Sequence, residues 1–551
     1  MIKLKLNEIA RRLGKNSSEI AREAEINRNT INALMHNKVD GLKFATLDKL
    51  CGVYDLKIQD LVEYVAEGAA DQMPAAIYSQ QTKAVPYYIW PILMSSNKFP
   101  KEYFNATFGV MYTYIRDKQA YVYWDVNRMN TIAQEVYERY SNPLHFERLY
   151  RVFERSMRDV EKFYSTVDLD ALNKMSNTEL TDYFNQIYNS CQRMYGYCYF
   201  SEAYYAGFDH REIKRLTDKY KISQSDVLVL LAPEELTYDE ERRLALLTLL
   251  LPYRDKRKFD ALDFVKHDPG YQAFRREFYY GEMDYAGHKP IEDADLAREV
   301  ENYLANKQFF NSQYERLASY SKEQKKRIKD VCRKYNLPQN PLWFFNRVAF
   351  WREAKKHAIL MGVYVMDQII AAMGNKTGLS KEYLQYLSYE EFEGALKGLV
   401  SAEILKERHD QGLLIEVRGL DYTLAVGEEA DAIRSELEAR ISGEAPLTLY
   451  GNLVARGFAR GLARIIKSQN DAYSLKKGEV AVLAQDVFLP LVLDKAGAII
   501  LVQDKLSPSV EQQVRNHETP CVTGVKEALT GIQEGNMIEV RANHRTVRVL
   551  K

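Results

Sequence analysis

The chain carries little cysteine, little histidine and no surplus of either charge, and each shortage closes off a class of function. Its five cysteines, Cys51, Cys191, Cys198, Cys332 and Cys521, are odd in number, scattered and without a CxxC spacing. They read as the reduced thiols of a cytosolic protein, so the expected localisation is cytoplasmic. His145, His210, His267 and His288 lack ligand spacing to one another, and Tyr389-Glu390-Glu391 and Glu428-Glu429 read as solvated faces or first-turn helix charges. No metal and no cofactor is therefore expected. No Walker-type glycine loop, HExxH pair or nucleophile-elbow serine occurs. The formal net charge is +0, which excludes a general nucleic-acid glue. The best apolar run, 357–374, has Asp367 and Gln368 near its middle; it reads as a buried helix, and no membrane partner is expected. The amphipathic pattern starts directly after Met1, with no signal peptide before it. No 34- or 40-residue repeat marks a solenoid.

What is present is a chain of 551 residues, 46% hydrophobic and 28% charged, the composition of a soluble globular protein with about three domains. Tyrosine is abundant at 39 residues. A tyrosine buries its ring while keeping its hydroxyl wet, which points to broad helix faces or an interaction surface. The aromatic run 195–205 reads as core packing, the lining of a ligand cavity being the other use of such rings.

Charge is not evenly spread. The first 38 residues hold Lys3, Lys5, Arg11, Arg12, Lys15, Arg22, Arg28 and Lys38 against Glu8, Glu19, Glu23 and Glu25, a local basic surplus suited to a DNA-reading head on a neutral body. Leu6, Ile9, Ala10 and Leu13 pattern a first helix, and Ser17 or Ser18 caps a second bearing Ile20, Ala21 and Ala24. A turn, Glu25-Ile26-Asn27, leads into a third helix over 28–36, and a fourth covers 46–53. The third helix begins with Asn27, Arg28, Asn29 and Thr30, side chains that suit base edges and phosphates. Ile26, Ile31 and Leu34 are its expected anchors to the body.

The segments SSEIAREAEINRNTINALMHNK and FATLDKLCGVYDLKIQDLVEY resemble the Cro/phage-repressor helix-turn-helix family. The resemblance implies a bundle with Leu47, Leu50, Leu56 and Leu61 in its core. It implies binding of double-stranded DNA, with Asn27, Arg28, Asn29 and Asn32 facing bases and Thr30 and Lys38 among the contacts. Glu25 departs from the glycine that many members place in the turn, at some backbone strain.

Beyond a linker at 67–75 the pattern is helical over 76–400, interrupted by a hairpin near 106–125 around Arg116-Asp117-Lys118. Short strands and a connecting helix fill 401–446. After Gly443 the texture changes to short β runs at 454–467, 479–484, 498–502, 521–524 and 537–541, with helices at 489–496 and 509–517. The glycines Gly451, Gly457 and Gly461 fall between β segments and open no helix, so a dinucleotide site is not indicated.

The order LYGNLVARGFARGLARII, KKGEVAVLAQDVFLPLVLDKAGAIILVQD, PCVTGV and EGNMIEV resembles the swivelling phosphohistidine domain of phosphoenolpyruvate-utilising enzymes, over 447–551. That family opens the histidine-bearing helix after a Gly-Gly and a Ser-His-Ala run. Here Asp504-Lys505 stand at the glycines and Ser509 at the histidine, followed by Val510 and Glu511. Arg515 is retained and Asn516 replaces the family's glutamate, while the segment after Ala484 is shortened. A serine hydroxyl is no ready substitute for imidazole without an adjacent base. His517 lies at the helix end, as a cap or facing solvent.

The expected fold class is thus multidomain and mainly α: a helix-turn-helix bundle (1–66), a long helical middle (76–400), and a C-terminal α/β swivelling-type domain lacking its histidine. The expected function is a transcriptional regulator, a homodimer whose inactive swivelling-type domain serves a small-molecule effector or a protein partner. A phosphotransfer-related enzyme or accessory subunit is the alternative, and a protein-interaction scaffold a third.

Overall fold

The computed structural model describes residues 2–6, 9–10, 15, 17–35, 41–54, 56–64, 73–104, 107–256, 258–278, 283–288, 291–441, 447–517 and 519–550. The chain divides into two compact units, Met1–Met73 and Pro74–Lys551. Most of the expected linker, and Lys38, lie outside the described residues.

In the first unit, helices Ser17–Glu23, Arg28–Met35, Phe44–Tyr54 and Ile58–Leu61 close around Leu6, Ile9, Ala10, Ile20, Ala21, Ile31, Leu34, Leu47, Leu50 and Leu61. Ile26 and Leu56 are half-buried against that core. A two-stranded antiparallel sheet, β1 (Ile2–Leu4) with β2 (Val62–Tyr64), ties the start of the unit to its end, with Leu4 opposite Val62. The sequence pattern does not announce it, because three-residue strands have no measurable alternation.

The second unit combines a helical mass with two larger sheets. The first sheet contains β3 (Ile77–Lys83), β4 (Val110–Arg116) and β5 (Gln119–Asp125). After a small ribbon of β6 (Met283–Asp284) and β7 (Gly287–His288), β8 (Leu413–Arg418) and β9 (Asp421–Val426) complete it. Its order is β3-β5-β4-β8-β9, every pair antiparallel. The expected hairpin therefore seeds a sheet that residues 413–426 finish. Two strands alone cannot cover both faces of a strand as enclosed as β4, where residues 111–115 are all buried.

Helices Pro86–Phe104, Pro143–Thr166, Asn177–Cys198 and Trp343–Thr377 pack on one another behind this sheet. Helix Trp343–Thr377 is long and apolar enough to cross a membrane, and 72% of its most apolar window is buried inside this unit. The tyrosines fill the core: Tyr87, Tyr88, Tyr114, Tyr123, Tyr204 and Tyr271 are among its largest fully buried side chains. Residues 293–334 form two helices, Asp293–Ala305 and Lys307–Lys334, because Asn306 leaves helical geometry and its side chain accepts from the Phe309 N–H, capping the second helix.

The second large sheet occupies the C-terminal hundred residues. Its strands are β10 (Thr448–Tyr450), β11 (Asn452–Ala455), β12 (Phe458–Ile466), β13 (Val480–Leu483), β14 (Ala498–Leu501), β15 (Cys521–Thr523), β16 (Met537–Arg541) and β17 (Thr546–Leu550). The order is β10-β17-β16-β12-β13-β14-β15-β11, parallel from β12 to β15 and antiparallel outside. Strands β13, β14 and β15 are buried along their whole length, as strands covered on both faces must be. The expected run 454–467 is two strands, since Gly457 adopts φ +135 between them. At Gly461 a Cβ would stand 2.4 Å from the Gly478 carbonyl oxygen, so close backbone approach is what this glycine serves.

Candidate nucleic-acid interface

The turn between the two central helices of the first unit is a Schellman cap. The Ile26 N–H donates to the Ala21 carbonyl (2.9 Å) and the Glu25 N–H to the Arg22 carbonyl (3.4 Å), the paired bonds of that motif. Glu25 occupies its left-handed position at φ +52, where a side chain costs about 1–2 kcal/mol against glycine. Lys49, from helix Phe44–Tyr54, donates from Nζ to the Glu25 carbonyl at 3.1 Å, a cation placed at a helix C-terminus. On the other side, Glu23 receives Lys15 (2.5 Å) and the Tyr54 hydroxyl (2.8 Å). Those contacts hold the Glu23 carboxyl below its ordinary range, Lys15 first and Tyr54 second.

Helix Arg28–Met35 buries Ile31 and Leu34 and leaves Asn27, Arg28, Asn29 and Thr30 exposed, with Asn32 half-buried. Arg28, Asn29 and Asn32 share one face, being one, three and four residues apart; Thr30 flanks it. Asn27 acts locally, because its Oδ1 accepts from the Asn29 N–H at 2.8 Å and so caps the helix. The sequence pattern overlooks Lys49, because the turn it serves lies 24 residues away.

Ser509 is exposed at the second position of helix Pro508–His517. The preceding turn is stitched up: Asp504 Oδ1 accepts from Asn452 Nδ2 (2.7 Å), and its carbonyl from the Thr523 hydroxyl (2.9 Å). Pro508, Glu511, Gln512, Arg515 and Asn516 of this helix line a cleft of about 730 Å³, and Ser509 does not. Gln512 and Asn302 both donate to Asn516 Oδ1, at 2.8 and 2.6 Å.

A second concentration of charge is buried where β16 and β17 meet residues 201–209 and helix Trp343–Thr377. Glu539, 0% exposed, is shared by Arg460 (2.5 Å) and Arg541 (2.9 Å). Arg548 grips Asp209 through both terminal nitrogens at 2.8 Å. Arg541 donates to the Tyr205 hydroxyl (2.6 Å), Lys355 pairs with Glu202, and Arg352 donates to the Ser201 carbonyl (2.8 Å) while stacking over Tyr205. Burial alone would push the Glu539 carboxyl up; Arg460 and Arg541 hold it well below its ordinary value. The sequence signal for this cluster is a charge at inward positions of otherwise apolar strands, in MIEVR and TVRVL.

Residues 5–67 match the Cro/C1-type HTH DNA-binding domain. No curated relative matches the chain. Part of it is similar to two solved structures, aconitase X of Thermococcus kodakaraensis in its holo-form and a UPF0107 protein determined by NMR in solution. Identities are 15% and 16%, over 19% of this chain and 99% and 100% of those chains, each with a TM-score of 0.16. A likeness of that extent carries no argument about fold or activity.

Proposed function

We propose that this chain is a sequence-specific transcriptional regulator of the cytoplasm, which reads double-stranded DNA with the face formed by Arg28, Asn29 and Asn32. The carrying observation is that a helix-turn-helix unit of the Cro/C1 type leaves its polar first turn exposed while Ile31 and Leu34 anchor the helix beneath it. Arginine bridges the two acceptors of guanine, and asparagine pairs with adenine through two bonds. Thr30 and Lys38 serve the flanking backbone, and Asn27 holds the first turn in shape.

In this reading the C-terminal domain is a degenerate swivelling domain, without phosphotransfer through Ser509, kept for an effector or a partner. One small head buries too little surface for tight operator binding, and such heads engage paired half-sites, so the working form is a homodimer. Light scattering on the full chain checks that state.

Fluorescence anisotropy with a duplex selected from a random pool, against an unselected duplex, tests the base-reading face. Arg28→Ala and Asn29→Ala should each cost about 1–3 kcal/mol on the selected duplex. Arg28→Ala should also reduce the salt dependence by about one released ion, and Asn29→Ala should leave it unchanged. Equal losses on both duplexes would remove the base-reading assignment.

A further inference from the structure

We propose that a cavity inside the second unit, walled by residues 195–205, helix Trp343–Thr377 and the turn after β16, binds a small aliphatic monocarboxylate. Its volume is about 100 Å³. A cavity of ~150 Å³ accepts benzene, so this one suits an acid of about two to four carbons.

Three polar atoms of its wall are buried without a partner among the described residues: Arg541 Nη2, His544 Nε2 and the Tyr195 hydroxyl. Arg541 is 4% exposed, and its other nitrogens are already committed to Glu539 and Tyr205. Buried polar groups are nearly always satisfied in native proteins; Arg541 Nη2 can only donate, and the Tyr195 hydroxyl and His544 Nε2 can each donate, so an occupant with acceptor oxygens satisfies all three. The cations of the wall have partners of their own. Lys355 is paired with Glu202, the one carboxylate of the wall among the described residues, whereas Arg352 has the Ser201 carbonyl and the Tyr205 ring as its bonded partners. Arg352 also acts on the buried Glu539 and Asp209 carboxylates, so it is the unpartnered donors, led by Arg541 Nη2, that favour an anion here.

The remaining wall sets the class of anion. Ile89, Ile92, Leu93, Val122 and Ile359 form an apolar side that an inorganic oxyanion would leave uncovered and an alkyl chain would fill. The carboxylate is then received by Arg541, His544 and Tyr195, with the chain against Ile92 and Leu93. Burial, and then the neighbouring cations Lys356 and Arg541, keep His544 neutral, so its Nε2 serves as donor when Nδ1 is unprotonated. The occupant would touch both the helical mass and the strand layer. Binding stands independently of the regulator reading; its effect on DNA rests on that reading.

Calorimetry and thermal denaturation of the full chain, in a buffer free of carboxylates, decide the matter. Acetate, propionate, butyrate, propionamide, nitrate and phosphate are the probes. Propionate or butyrate should bind and raise Tm, and the isosteric propionamide should do neither. His544→Leu should weaken propionate about tenfold or more through the lost bond to the carboxylate. Ile92→Phe, which fills the apolar end, should weaken butyrate more than acetate in a protein that still folds by circular dichroism. Failure of every monocarboxylate at millimolar concentration, binding of nitrate or phosphate instead, or an affinity indifferent to Ile92→Phe would each overturn the proposal. Carboxylate binding with unchanged DNA affinity would leave the site standing and defeat the sensing role.

Discussion

Arginine does two opposite jobs in this chain. On the first unit Arg28 stands exposed at the start of a helix, keeps its hydration, and turns its fork to whatever approaches from solvent. In the second unit Arg352, Arg541 and Arg548 are 2–4% exposed and held by carboxylates, carbonyls and a tyrosine ring. An exposed guanidinium contributes little to folding and much to recognition; a buried one must be matched, and its partners then become indispensable. The same residue type thus separates the part of the molecule that meets DNA from the part that must stay closed.

The sharpest way to test that contrast is to remove one partner in the buried cluster. Asp209→Ala leaves Arg548 charged and unpaired in the interior and should destabilise the second unit by about 3–5 kcal/mol, read from the midpoint of urea unfolding. Replacing both partners, Asp209→Leu with Arg548→Met, should restore much of that loss, since an apolar pair avoids the desolvation cost. Arg28→Ala should shift stability by less than about 0.5 kcal/mol. If Asp209→Ala proved as mild as Arg28→Ala, the buried cluster would be no structural lock. The pair also sets an acid limit. Burial raises the Asp209 carboxyl, but the Arg548 guanidinium outweighs it, and the net direction is downward. A carboxyl lowered on folding contributes fully above its unfolded value of about 3.9, and that contribution is lost as pH falls through the folded-state value. Wild type should therefore lose stability in that acid range more steeply than the double variant does.

A smaller effect separates shape from contact within the head. The sequence groups Asn27 with the base readers, yet its carboxamide oxygen caps the reading helix. Asn27→Ala should cost about 1 kcal/mol of stability, and Asn27→Ser should recover it, because serine caps as well. Operator affinity should follow the same pattern. If Asn27→Ser kept stability but lost affinity as fully as Asn29→Ala, the side chain would be reading DNA after all.

The head is legible in sequence because its information is local. Helix spacing, the exposed first turn of Arg28–Met35 and the anomaly at Glu25 all lie within about 20 residues of one another, and the left-handed backbone expected at Glu25 is present at φ +52. The central C-terminal strands, though not their order in the sheet, are legible for the same reason: short apolar runs bounded by glycine read locally as strands, while β10 and β17 are missed. What stays hidden depends on distant pairing. Nothing near Ile77 announces that its strand shares a sheet with Leu413, and nothing near Arg548 names Asp209. The tyrosine surplus shows how far composition reaches. It points to helix faces or an interaction surface, and the rings that stand out are buried, Tyr204 and Tyr205 beside the charged cluster.

The smallest expected effect is at Ser509, where the swivelling resemblance puts its histidine. Phosphate transfer through this position needs a nucleophile, room for phosphate beside it, and a domain free to visit its donors. Serine without an adjacent base is a poor nucleophile at neutral pH. Asp504, at one of the family's glycine positions, brings a negative side chain fixed by Asn452, which would repel an incoming phosphate. The domain that carries Ser509 is also joined to the helices through Arg548–Asp209 and Arg541–Tyr205 on its strands, contacts that swinging would have to break. Ser509→Ala should therefore leave operator affinity and unfolding midpoint unchanged, and incubation of the wild-type chain with labelled phosphoenolpyruvate or ATP should leave no acid-labile label. Ser509→His should remain unlabelled too, because one imidazole restores neither the glycine turn nor the freedom to move. Stoichiometric acid-labile label on the wild-type chain would reverse the comparison, making the buried cluster a latch and this domain the working half of a phosphotransfer enzyme.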